Sequence, residues 1–143
     1  MSIEPIELIC SALILNDYGG DKNYAQLVKD RIKSDETRYR RTKHRGDLVI
    51  CCGASNSVTA NAGKALCIVN LYDCRPMQKE DEPTACIDYQ PNRFVWRLKD
   101  WRWFSRDFEF RHYYVSGPYQ GIFKIRIPGN VEILSQQPSR PLI

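Results

Sequence analysis

Hydrophobic positions along the chain fall into short blocks separated by polar, glycine-bearing or proline-bearing stretches. Residues 7–15 (ELICSALIL) form a continuous apolar run of strand length. Residues 16–20 (NDYGG) are a turn. Asp21 then suits an N-cap for a helix over about 22–33, where Tyr24, Leu27, Val28, Arg31 and Ile32 recur at i, i+3, i+4 spacing. Two further runs, 48–54 (LVICCGA) and 65–72 (ALCIVNLY), are apolar on both faces, as in strands covered on both sides. Residues 93–98 (RFVWRL) read as a strand, and 121–127 (GIFKIRI) alternates Phe123, Ile125 and Ile127 with Lys124 and Arg126. The acidic, proline-bearing segment 77–85 (MQKEDEPTA) is expected as a surface loop and 128–143 as an irregular tail. Neither a repeat nor a low-complexity linker divides the 143 residues. The expectation is therefore a single domain, 1–143, of α+β class: a small β-barrel of five to six strands with one or two covering helices.

No run approaches the roughly 20 apolar residues of a membrane span, so no membrane partner is expected. Glu4 and Glu7 precede the first apolar run without a basic leader, which argues against a secretory signal. The six cysteines (Cys10, Cys51, Cys52, Cys67, Cys74 and Cys86) form no C-x-x-C pair and sit mostly in apolar segments. They read as reduced, buried hydrophobes in a cytoplasmic protein, and neither a metal nor an organic cofactor is expected. The net charge of +4 is unevenly spread: residues 1–35 sum to −2, 36–45 to +4, 46–92 to −3 and 93–143 to +5. Should folding join the two basic blocks, they make one electropositive face suited to phosphate-bearing partners.

Between Arg38 and Arg45 five of eight residues are Lys or Arg, a density that repels itself unless anions relieve it. In an extended chain Glu36 and Arg38 point to the same side, and a carboxylate beside a guanidinium stays ionised and holds it in place. The second concentration, 93–114, holds nine of the sixteen aromatic residues, all three tryptophans and six Lys or Arg. Such interleaving suits single-stranded nucleic acid, with rings stacking on bases and guanidinium groups on phosphates. Phe94, Trp96 and Leu98 share a strand face as core or cleft floor. Trp101, Trp103 and Phe104 are expected beyond that strand, exposed in a loop or short helix. His44 and His112 read as structural.

Several segments, taken in order, carry a family resemblance. Lys33, Glu36 and Arg38 occupy the K, E and R of a G-x-K-x-x-E-x-R pattern; the helix before it reads Tyr24-Ala25-Gln26-Leu27-Val28. Thr42 and Arg45-Gly46 lead into LVICCGAS, followed by GKALCIVNLYDCRPM, FVWRLKDWRWF, Gly117 and Gln120-Gly121-Ile122-Phe123. Over about residues 22–127 the chain resembles the ASCH family, a PUA-like group; Arg31 stands at the family's glycine and Asp35 where the family tends to be apolar. The resemblance implies a PUA-like barrel that binds RNA or a nucleotide through a basic cleft. Lys33, Arg38, Arg40, Arg45 and Arg97 would then meet phosphates, Glu36 would orient them or read a base edge, and Ser55 with Asn56 would bond at the cleft edge. Trp96, Trp101 and Trp103 complete the candidate set. The resemblance leaves open a small hydrolase acting on an acylated cytidine or on RNA, with Lys33 as base and Glu36 as its proton-transfer partner. A module that binds other proteins without nucleotide chemistry is a third reading.

Overall fold

The computed structural model describes residues 8–138; Glu7 and residues 139–143 of the expected strand and tail lie outside that range. Among the described residues eight strands form one sheet. The apolar runs become β1 (Leu8–Leu15), β3 (Gly46–Cys52) and β4 (Lys64–Pro76). The alternating run becomes β7 (Phe123–Ile127), whose even positions are exposed and odd positions buried. The short β2 (Asp35–Arg38), β6 (Tyr114–Ser116) and β8 (Ile133–Leu134) join them. The strand expected over 93–98 continues unbroken to residue 109 as β5 (Phe94–Glu109). Register irregularities against β4 recur along it, and Asp100 adopts a left-handed φ of 56°. Those bulges re-aim successive side chains and hide the strand's period in the sequence.

Strand order is β2-β5-β4-β3-β1-β7-β6, with β8 paired to β5. β1 and β3 run parallel; the other pairings are antiparallel. This corrects the expected barrel of five or six strands: the sheet is open. It nevertheless curls, because the Arg38 guanidinium on edge strand β2 donates to the carbonyl of Ile14 on β1 at 2.9 Å, although three strands separate the two in the ladder. The ladder between β1 and β7 ends at Ala12 and Phe123, so the last residues of β1 carry an unpaired edge, and Arg38 satisfies one carbonyl there. A gap is left between β2 and the β1–β7 side.

The helix expected over 22–33 is reduced to α1 (Tyr24–Lys29), preceded by a 3₁₀ turn at Gly20–Lys22. Asp21 does not cap it. Asn23 is the N-cap residue, and the carboxylate of buried Asp17 accepts from the Gln26 backbone N–H at 3.0 Å. At the other end Arg31 N–H donates to Val28 O and Ile32 N–H to Leu27 O. This is a Schellman closure with an arginine in the left-handed position (φ 63°) that glycine usually takes. Ala25 and Val28 bury against the core of β1, β3, β4 and β5. The segment 77–85 is more than a surface loop: it holds a 3₁₀ turn and the short helix α2 (Glu82–Ala85), with Met77, Asp81 and Ala85 buried. Cys51, Cys52 and Cys67 are fully buried; burial pushes the Cys67 thiol up to about 12 and raises Cys51 too, so both pack as inert hydrophobes. Among the described residues no helix is long and apolar enough to cross a membrane.

Candidate functional site

The gap left by the curled sheet is a cleft of about 690 Å³. β2 supplies Glu36 and Arg38, which share a strand face as the two-residue period requires and are joined by an Arg38 Nε to Glu36 Oε2 hydrogen bond of 2.9 Å. The end of β1 and the turn into α1 bring Ile14, Asn16, Tyr18 and Tyr24. The turn after β3 brings Gly53, Ser55 and Asn56; Phe110, Arg111, Tyr119 and Gln120 come from the far side. Gly53 is needed for close approach, since a Cβ there would lie 1.9 Å from Asn16 Oδ1. The 117–121 loop is anchored by rings: Tyr119 packs edge-on to Phe123 and Phe110, with centroids 5.1 and 6.0 Å apart. Gly117 (φ 97°) lies where a Cβ would press on the Phe123 backbone. Burial raises the Tyr24 phenol above its usual value, leaving its hydroxyl a proton donor at neutral pH.

Glu36 is held between two cations. Its Oε2 accepts from Arg38, and its Oε1 lies 3.7 Å from Lys33 Nζ. Lys33 itself does not line the cleft. It is 1% exposed, its ammonium donates to the Ala85 carbonyl of α2, and it sits 5.2 Å over the Tyr24 ring. The carboxylate is thus presented to the cleft from a charged backing, with oxygen lone pairs that only a donor can satisfy.

A second groove of about 370 Å³ adjoins the first and shares Arg38 and Gln120 with it. Tyr39, Arg40, Arg41, Thr42, Trp96, Gly121 and Ile122 line the rest. Aromatic residues of β5 support the arginines: Arg38 lies 5.8 Å over Trp96 and Arg41 4.5 Å over Phe94. Trp96 Nε1 donates to Arg40 O at 3.0 Å, fixing the backbone of the basic segment. Among the described residues no carboxylate pairs with Arg40, Arg41 or Arg111.

The start of the basic loop and the start of the tryptophan-rich strand therefore meet at the second groove, with Arg38, Arg40 and Trp96 there and Glu36, Arg38, Ser55 and Asn56 in the cleft. The other sequence candidates lie elsewhere. Arg45 turns back to the carbonyls of Thr42 and His44. Arg97 pairs with Asp35 at 3.2 Å and lies over Tyr72. Trp101 and Trp103 are not in an exposed loop or short helix. They belong to β5 and donate their indole N–H groups to Val28 O and Lys29 O, the last carbonyls of α1, at 2.7 and 2.9 Å. Trp103 and Phe104 are each 3% exposed. Sequence reasoning missed Tyr18, Phe110, Arg111 and Tyr119 as cleft residues. Phe110 and Arg111 lie in the aromatic, basic stretch 93–114 and Tyr18 in the turn 16–20, where nothing in the sequence set them apart from their neighbours; only the glycines around 117–121 marked the region of Tyr119.

A family model of the ASCH domain matches residues 21–124, which hold β2 to β6 and the first two residues of β7 but none of β1. Among curated proteins none matches.

Proposed function

The chain belongs to the ASCH-domain family, and from that premise we propose that it binds RNA or a nucleotide, taking an unstacked base into the cleft. One observation carries the reading: a carboxylate braced by Lys33 and Arg38 lines a recess with tyrosines around it, and arginines that pair with no carboxylate among the described residues stand at its border. Glu36 would accept from the amino or imino N–H groups of a base edge, as carboxylates do from cytosine N4. Tyr18, Tyr24 and Tyr119 would cover the base faces, and Ser55 and Asn56 would add hydrogen bonds. The recess volume lies in the range of small-ligand sites. A base inside a duplex offers neither its faces nor its pairing edge, so the fitting ligand is single-stranded or free.

Hydrolysis by Lys33 and Glu36 has no specific observation in its favour: the amine that would act as base is enclosed and hydrogen-bonded to a backbone carbonyl. The test is titration of a labelled single-stranded RNA and of nucleoside monophosphates, followed by fluorescence anisotropy and calorimetry. Glu36→Gln keeps the shape but turns half of the acceptor into a donor. It is expected to weaken binding about tenfold, within the 1–3 kcal/mol of a good base-edge pair. Equal affinity of wild type and Glu36→Gln, or no binding of any such ligand, would sink the reading.

A further inference from the structure

The arrangement of the two concavities speaks to the length of the ligand. The cleft holds the carboxylate and most of the rings, and its lining includes uncharged donors and acceptors such as Asn16, Ser55 and Gln120. The groove carries Arg40 and Arg41 in the chain next to Arg38, and Arg38 itself borders both spaces. Arg40 and Arg41 are exposed and unmatched by any carboxylate among the described residues. Arg41 is stacked on Phe94, and the Arg40 backbone is tied to Trp96. A guanidinium held on a ring and facing solvent, as that of Arg41 is on Phe94, loses little freedom when an anion arrives, and the fixed backbone of Arg40 keeps its side chain at the groove. A free mononucleotide seated in the cleft would leave this groove empty.

Resting on the base-binding reading above, we propose that the ligand is a single strand of two or more nucleotides. One base enters the cleft, and the adjoining phosphate and nucleotide run along the groove over Arg40, Arg41 and Trp96. Arg38, between the two spaces, meets the phosphate that joins the bound nucleotide to its neighbour. Glu36 then selects the base, and the groove senses that the base belongs to a chain.

The experiment measures affinity for a nucleoside monophosphate, a dinucleotide and a hexanucleotide of RNA, each across a salt series. Affinity is expected to rise tenfold or more from one nucleotide to the longer strands. The salt slope should steepen with it, since each phosphate neutralised on a single strand adds about 0.7 to the logarithmic slope. Arg40→Ala/Arg41→Ala should remove that gain and flatten the hexanucleotide slope by about 1.4, while Arg40→Lys/Arg41→Lys keeps most of the slope. Both side chains are exposed, and thermal melts verify that the variants fold. Equal affinity for monomer and oligomer, or a length gain that survives the alanine pair, overturns the proposal and leaves base binding standing. Failure of every ligand to bind overturns both.

Discussion

Around the middle of β5, Trp101 and Trp103 donate to the last carbonyls of α1, and Arg31 lies 5.9 Å over the Trp101 ring. At the start of the same strand, Trp96 donates to the backbone of Arg40 and supports Arg38, and both arginines border open concave space. The residue types are the same; the difference lies in what each polar group has already found. On the side of α1 and α2 the charges close on one another: Arg97 with Asp35, Arg75 bidentate with Asp81, Lys33 with Glu36 and Ala85 O. At the cleft border Arg40, Arg41 and Arg111 meet no carboxylate among the described residues. A cluster of arginines and aromatics marks a ligand site only where its charges remain uncompensated.

The comparison breaks most visibly at Trp103. Trp103→Ala removes a ring from the core and the donor from Lys29 O, with an expected loss of about 3–5 kcal/mol, read from urea unfolding midpoints. If stability were barely changed while RNA affinity collapsed, the middle of β5 would belong to the site and the two regions would not differ as argued.

Lys33→Met tests the link between them. The substitution keeps the length of the side chain but leaves Ala85 O without its donor and Glu36 with Arg38 alone. The expected loss is about 2–3 kcal/mol, because a buried acceptor and half of a buried ion pair are left behind. Hydrogen exchange should speed up first in residues 82–86, which Lys33 ties to β2. Wild-type protection in that segment would show that the ammonium is not what holds α2 in place.

A smaller effect separates clamped from free arginines by pH. The Arg75 side chain, hydrogen-bonded to Asp81, holds that carboxyl below its ordinary value, and Arg102 does the same for Asp47. A depressed folded value means that the contribution is complete above the unfolded carboxylate range, near pH 4. It is lost as pH falls through the lower folded values. Stability should therefore decline below about pH 4, and Asp81→Asn should flatten that decline at a cost of about 1.5 kcal/mol at neutral pH. An unchanged acid profile in Asp81→Asn would remove the Arg75 clamp from the account.

These contrasts also explain which parts of the molecule could be read in its sequence. β3 and β7 were legible because one is buried on both faces and the other alternates strictly. The joint placement of Glu36 and Arg38 followed from the two-residue period alone. The run of β5 through 99–109 was not legible: bulges and the left-handed Asp100 break its period, so a strand looked like a loop. Open or closed was equally hidden, since that depends on which edges pair and not on how many strands exist. The burial of Lys33 rests on a carbonyl 52 residues away, and the motif that names the lysine says nothing of that partner. Cleft residues such as Arg111, in the 3₁₀ turn Phe110–Tyr113 after β5, and Tyr119, in the 117–121 loop, take positions that only the folded sheet defines.

The smallest test concerns Arg31. Its backbone holds φ at 63° in the closure of α1, a conformation costing a side chain-bearing residue about 1 kcal/mol or more. Glycine takes it without that strain. Against this gain stands the contact of the guanidinium with Trp101, worth about 0.5–1 kcal/mol at an exposed site. Arg31→Gly should thus stabilise by a few tenths of a kcal/mol up to about 1, raising Tm by about 1–3 °C. RNA affinity should hold, because Arg31 lies over the ring that caps the helix and lines neither concavity. A lower Tm would mean that the Trp101 contact outweighs the strain. Weaker RNA binding at unchanged Tm would move Arg31 from the closed side of the molecule to the open one, and the line drawn between them would have to shift.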